Sequence, residues 1–113
     1  MLETSFLAKK FSNPTVLASG ILGVTGAGMN RVIDQGCGGI TIKSVSLEPR
    51  TGHPNPTMIG QKHFFINAVG LSNPGVIEAI EEIKKFRTLS NAPIIASVFA
   101  GTPEEFGEVT KQI

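Results

Sequence analysis

The sequence predicts an α/β fold built on a parallel sheet, and three observations carry that expectation. Three short apolar runs, at residues 15–18, 39–43 and 93–98, have the length of buried strands, and the second and third are β-branched-rich. Each is followed by a stretch whose apolar residues recur at helical spacing, so strand and helix alternate. The runs are apolar almost throughout, which fits a sheet covered on both faces and joined by right-handed crossovers. Three strand–helix units do not close such a sheet, and a (β/α)8 TIM barrel typically takes about 250 residues. At 113 residues the chain reads as one domain, the N-terminal portion of a barrel preceded by a short β-hairpin. A small open three-stranded sandwich is the alternative.

The elements follow in order. Residues 2–12 alternate weakly around Lys9-Lys10, with Leu2, Phe6, Leu7 and Phe11, and supply the hairpin. Asn13-Pro14 punctuates. The first core strand stops at Ser19-Gly20, and Gly23, Gly26 and Gly28 make the next loop permissive. A helix is expected from about 27 to 35, with Met29, Val32 and Ile33 on one face and Gly36 ending it. The second strand ends in a charge, Lys43. Residues 44–62 contain Pro49, Gly52, Pro54, Pro56 and Gly60 and are expected to be irregular; a loop of that length is usually functional or disordered. The second helix is expected over about 74–87, with Asn73 as N-cap and Pro74 at its first position. Val76, Ala79, Ile80, Ile83 and Phe86 form its apolar stripe, and Glu81 is set to pair with Lys85. After the third strand, Thr102-Pro103-Glu104-Glu105 has the form of a capping box, and Phe106, Val109 and Ile113 give the third helix its inner face.

Composition narrows the function classes. A net charge of +1, with 41% hydrophobic and 17% charged residues, describes an ordinary globular domain. There is no basic excess for nucleic acid, no apolar run for a membrane span and no signal-peptide pattern, so a cytoplasmic protein is expected. Cys37 is the only cysteine, which leaves no disulfide framework. Between Gly36 and Gly38, at a helix-to-strand turn, it reads as structural. His53 and His63 have no partners at metal-ligand spacing, so no metal site is expected. Glu48 and Arg50 read as a surface pair. Gly26-Ala27-Gly28 is followed by Arg31 where a dinucleotide fingerprint needs glycine or alanine, and Gly36-Cys37-Gly38 precedes a strand.

Ligands in parallel α/β folds sit at the carboxyl ends of the strands. Ser19-Gly20, Lys43-Ser44 and Ser97 fall there. Lys43 is the most informative of them. A lysine ending a buried strand either reaches water or offers a fixed positive charge to an anion or an electron-rich ring. Ser19 and Gly20 offer a hydroxyl and a close backbone approach to a planar ligand, or simply a turn. The stretch Asn67-Ala68-Val69-Gly70-Leu71 leads through Ser72-Asn73-Pro74-Gly75 into a helix. It presents backbone N–H groups that can hold an anion or a planar polar ligand.

Taken together, residues 13–20 (NPTVLASG), Ile42-Lys43-Ser44, Glu48-Pro49-Arg50 with Gly52-His53-Pro54-Asn55-Pro56, and Asn67-Ala68-Val69-Gly70-Leu71 with Asn73-Pro74-Gly75 resemble dihydroorotate dehydrogenase. The resemblance spans the chain and is nearest to the class 1 enzymes, the 1B catalytic subunit above all. It implies a barrel holding FMN at the strands' carboxyl ends and oxidation of (S)-dihydroorotate to orotate in pyrimidine biosynthesis. It implies FMN contacts from Ser19, Gly20, Lys43, Ser44 and Ser97, the last standing where the family usually has Asn. It implies substrate contacts from Lys43, Asn67, Ala68, Val69, Gly70 and Leu71. The partner would be an iron–sulfur/FAD electron-transfer subunit in a 1B enzyme, or a second copy in a 1A homodimer. The family's catalytic base, a cysteine on a later loop, falls outside these residues and Cys37 does not occupy its place. On that pattern the chain is an N-terminal part or a truncated product, without the base, expected to self-associate or partly unfold by itself. The rivals are a related flavin barrel, such as the pyrimidine-reducing domain of dihydropyrimidine dehydrogenase, and a non-catalytic remnant.

Overall fold

A computed structural model describes residues 2–113 of the chain. The N-terminal hairpin pairs β1 (Thr4–Phe6) with β2 (Lys9–Phe11), antiparallel. Its two turn residues, Leu7 and Ala8, both have positive φ, the twist a two-residue hairpin prefers. Phe11 is buried, and its ring lies so close to Gly39 that any side chain there would strike it.

The central sheet is parallel, in the order β3 (Val16–Leu17), β4 (Gly39–Thr41), β7 (Ile94–Ile95). Beyond β4 and β7 the pairing continues through a parallel bridge between Val45 and Val98, and Val45 N donates to Ser97 O at 3.0 Å. Strand and helix alternate as the sequence predicts, giving a mixed α/β fold, although the strands are shorter than the apolar runs. Side chains alternate across the sheet. Leu17, Ile40, Ile42 and Ile94 face the helices, where Met29, Val76, Ala79, Phe86 and Val109 complete the core. The helices thus cover one face. On the other, Val16 is 41% exposed and joins Phe6, Phe11 and Ile95 around an apolar hollow of about 260 Å³.

The helices α1 (Gly26–Asp34), α2 (Val76–Leu89) and α3 (Pro103–Gln112) lie near their expected positions. Thr25 caps α1 by accepting from Gly28 N. Thr102 caps α3 by accepting from Glu105 N at 3.2 Å, and the Glu105 carboxylate accepts from Gly101 N at 2.8 Å. A 3₁₀ turn at Ile21–Gly23 precedes α1 and packs against the end of β4, where Lys43 N donates to Gly23 O at 2.9 Å.

Three expectations are corrected. Asn73 and Pro74 do not open α2. The helix starts at Val76 with Gly75 in the cap position, because the φ of +81° at Gly75 is not helical; the buried Asn73 side chain still accepts from Gly75 N and bonds to Ser46 as well. Glu81 pairs with Lys84 instead of Lys85. The Glu82 carboxylate reaches across to Gly26 N at 2.7 Å, and Lys85 follows Glu82. Residues 44–62 are not irregular throughout. β5 (Met58–Gly60) pairs antiparallel with β6 (Phe65–Asn67) around a turn closed by Gln61 N donating to Phe64 O at 2.9 Å. No helix among the described residues is long and apolar enough to cross a membrane.

Candidate ligand-binding site

The carboxyl end of β3, the 3₁₀ turn and the β5–β6 hairpin border an open cavity of about 630 Å³, within the size range of cofactor and ligand sites. Ser19 and Gly20 stand on one side. Lys43 enters from the end of β4, and Met58 with Asn67, Ala68, Val69, Gly70 and Leu71 close the other side. Two stretches singled out separately by the sequence, the strand ends and the 67–71 loop, therefore meet in one place. A Cβ built on Gly20 would meet nothing within 4 Å, so open space lies against the main chain at that rim.

Ser44 and Ser97 are not among the residues that line the cavity. They stand behind Ser19 in a chain of hydroxyls that crosses all three parallel strands. Ser19 Oγ donates to Ile42 O at 2.8 Å and lies 3.3 Å from Ser44 Oγ, which is 2.8 Å from Ser97 Oγ. Each strand end is tied to its neighbour by a side chain as well as by the ladder.

Lys43 is half-buried, and no carboxylate pairs with it among the described residues. The cavity thus carries a positive charge without an internal counter-ion, the condition for attracting an anion. The loop opposite complements it. Val69 O accepts from His53 N at 3.1 Å, Gly70 O from Arg50 Nε at 2.9 Å, and Leu71 O from Asn73 Nδ2 at 2.9 Å. Across a planar trans peptide, N–H and C=O point in opposite directions. With three successive carbonyls turned toward the 50–53 segment and Asn73, the N–H groups of Gly70, Leu71 and Ser72 point the other way. None of the three donates to a protein acceptor among the described residues. Gly70 and Leu71 have φ of +76° and +58°; left-handed backbone at the non-glycine Leu71 is strained and is held by these bonds. A lysine and unpartnered amides lining one cavity are groups that can receive a carboxylate or another planar anion.

All 113 residues match the family model described as Dihydroorotate dehydrogenase. The chain belongs to the dihydroorotate dehydrogenase family. It is 45% identical, over its full length, to the dihydroorotate dehydrogenase B (NAD(+)) catalytic subunit of Methanocaldococcus jannaschii, covering 38% of that protein. It is 48% identical to the protein of the same description from Methanosarcina mazei, over 90% of the chain and 33% of the relative. For Pyrococcus abyssi the identity is 41% over the full chain and 37% of the relative. The chain thus spans well under half the length of the relatives it matches.

In this member of the dihydroorotate dehydrogenase family, three residues near the site escape a reading of the sequence. Arg50, expected to pair with Glu48 on the surface, instead donates to the loop carbonyl and lies over the Phe99 ring, 5.7 Å from its centroid. His53 contributes its backbone N–H and packs against Gly70. Asn73 Oδ1 accepts from Ser46 N at 3.1 Å and from Gly75 N at 2.9 Å, while its Nδ2 donates at 2.9 Å to Ser46 Oγ, which in turn donates to Glu48 O at 2.8 Å. The signal available for Arg50 was its place in the Glu48-Pro49-Arg50 motif. For Asn73 the local pattern pointed to a helix cap and away from this network. Among the described residues no three His, Cys, Asp or Glu side chains cluster as metal ligands do.

Proposed function

We propose that the chain forms the first three strand–helix units of a (β/α)8 barrel that oxidises (S)-dihydroorotate to orotate with bound FMN, in pyrimidine biosynthesis. The observation that carries the reading is the meeting of Lys43 with the outward-facing amides of Gly70 and Leu71 across one cavity. Orotate is a planar pyrimidine with a carboxylate, and it offers an anion to that pair and ring carbonyls and N–H groups to Asn67.

The residues present fit the ring end of FMN. The hydroxyl of Ser19 and the open backbone at Gly20 suit a flat heterocycle lying against the strand ends, and Lys43 can approach such a ring from the end of β4. When bound, FMN supplies the acceptor for the substrate's hydride. The chain's own part is to hold and orient. Lys43 places positive charge where negative charge develops, and the 67–71 loop fixes the substrate carboxylate and ring edge. Ser44 and Ser97 keep Ser19 in place through the hydroxyl chain. The name carried by the relatives, a catalytic subunit of an NAD(+)-linked enzyme, supports a separate electron-transfer subunit, of the iron–sulfur/FAD kind, as partner.

The test is a visible spectrum of the purified protein followed by titration with orotate and with uracil, which lacks the carboxylate. The expected result is a flavin spectrum perturbed by orotate at concentrations where uracil has no effect, and a Lys43→Ala variant that has lost orotate affinity by about tenfold or more. A protein without flavin, or one that binds uracil as well as orotate, would sink the reading.

A further inference from the structure

We infer that Arg50 is a positioning residue for the ligand loop: by holding the Gly70 carbonyl it aims the Leu71 N–H into the cavity. The inference rests on the reading above for the identity of the ligand, and on the geometry alone for the clamp. Three successive carbonyls, of Val69, Gly70 and Leu71, are taken by partners on one side of the loop. Peptide planarity then fixes the next three amides on the other side. Of the three partners, His53 acts through its backbone and Asn73 sits within two residues of the carbonyl it holds. Arg50 alone reaches the loop with a side chain from a distant part of the chain, 20 residues away.

Arg50 is well placed for the task. Its backbone is locked to the far end of the same loop, since Arg50 N donates to Asn73 O and Asn73 N donates to Arg50 O, both at 2.9 Å. Its guanidinium lies over the ring of Phe99, on the segment that follows β7. The side chain is therefore tied to the third strand–helix unit while its Nε bonds to the loop. It is exposed and does not line the cavity, so it acts on the ligand only through the peptide it holds. The 70–71 peptide is also the one most in need of a lock, because both of its residues have positive φ. Without the guanidinium nothing else among the described residues holds the Gly70 carbonyl, and the peptide is free to turn its oxygen toward the ligand carboxylate.

The test uses the purified, flavin-loaded protein with Arg50→Met, which keeps the stem and removes the donor, and Arg50→Lys, which keeps a donor without the planar fork. Amide exchange is measured without ligand at His53 and Asn73, whose N–H groups are covered by Val69 O and Arg50 O. Orotate and uracil are titrated in parallel. The expected result for Arg50→Met is exchange at His53 and Asn73 at least several-fold faster, with α1, α2 and the sheet unchanged. The orotate dissociation constant should rise about tenfold, the size of one lost charge-assisted hydrogen bond, with uracil affected less and Arg50→Lys between parent and Met. Unchanged exchange at both amides overturns the clamp, and so does a loss of protection spread over the whole protein, which would make Arg50 a general stabiliser. A parent protein that fails to bind orotate refutes the proposed function, while the exchange data still decide the clamp.

Discussion

Gly70→Ala should damage the ligand loop without unfolding the protein. Gly70 has φ +76°, and a Cβ built there would sit 2.6 Å from His53 Cδ2 and 2.8 Å from His53 N. The left-handed conformation costs a side chain about 1–2 kcal/mol. The clash with a backbone nitrogen is not relieved by a rotamer change, so His53 must recede and its hydrogen bond to Val69 O is lost, for about 1 kcal/mol more. The sum, about 2–3 kcal/mol, can be avoided by letting the loop turn away from the 50–53 segment. The loop is the cheaper part to move, since the buried core lies elsewhere, in the sheet and helices. In the turned loop the Gly70 and Leu71 amides no longer face the cavity. Holding the loop in its binding form then costs the same 2–3 kcal/mol, and orotate affinity falls by about 30- to 150-fold. The assay is equilibrium titration followed by flavin absorbance, with a thermal melt of each protein to show that it is folded. A folded Gly70→Ala protein that binds orotate within threefold of the parent would refute the argument, because the backbone at 70 would then not be what meets the ligand.

Three further outcomes are expected. Gly23→Ala would bring a Cβ to 2.7 Å from Thr41 O and 3.0 Å from Lys43 N, breaking the tie between the 3₁₀ turn and the end of β4; it should lower the melting temperature and weaken flavin retention together, and a normal melt with full flavin content would count against it. The Glu82 carboxyl is held below the usual glutamate range by the hydrogen bond from Lys85 first and from Gly26 N–H second, outweighing the desolvation that pushes it up. A depressed carboxyl stabilises the fold above its unfolded pKa and loses that contribution as pH falls through the folded value. Glu82→Gln should therefore unfold more easily than the parent at pH 7, by about 1 kcal/mol in denaturant titrations, and the difference should close only as the pH falls through the depressed folded-state pKa, on the acid side of the ordinary glutamate range. Gly107 lies inside α3 with open space around it, so Gly107→Ala should stabilise the protein by about 0.5–1 kcal/mol, and a lower melting temperature would mean that the α3 surface is covered by something.

The parts of this fold that were legible in the sequence are those set by neighbours in the chain. Helical spacing placed α1 within one residue and α2 within two, and Thr102 could be read as the cap of α3 because its partner, Glu105, is three positions on. The strand ends were legible as a candidate rim because parallel sheets put ligands at that edge. Their meeting with the 67–71 loop depends on the β5–β6 hairpin. Its strands, Met58-Ile59-Gly60 and Phe65-Ile66-Asn67, are short and hidden among prolines and glycines. Asn73 shows why the remainder was not legible. By local rules, Asn before Pro at the foot of an apolar helical pattern is an N-cap. In the folded chain Ser46, buried and 27 residues away, presents an N–H that needs an acceptor and a hydroxyl oxygen, its proton already given to Glu48 O, that can accept. An amide side chain, with an acceptor oxygen and a donor nitrogen, can answer both groups at once. Left without an acceptor, the buried Ser46 N–H would cost about 1–3 kcal/mol. Asn73 Oδ1 meets that demand and still accepts from Gly75 N, and it is the positive φ of Gly75 that moves the start of α2 to Val76. The same side-chain orientation places Nδ2 against Leu71 O, so the requirement that hides Asn73 from a local reading also shapes the amides that face the cavity.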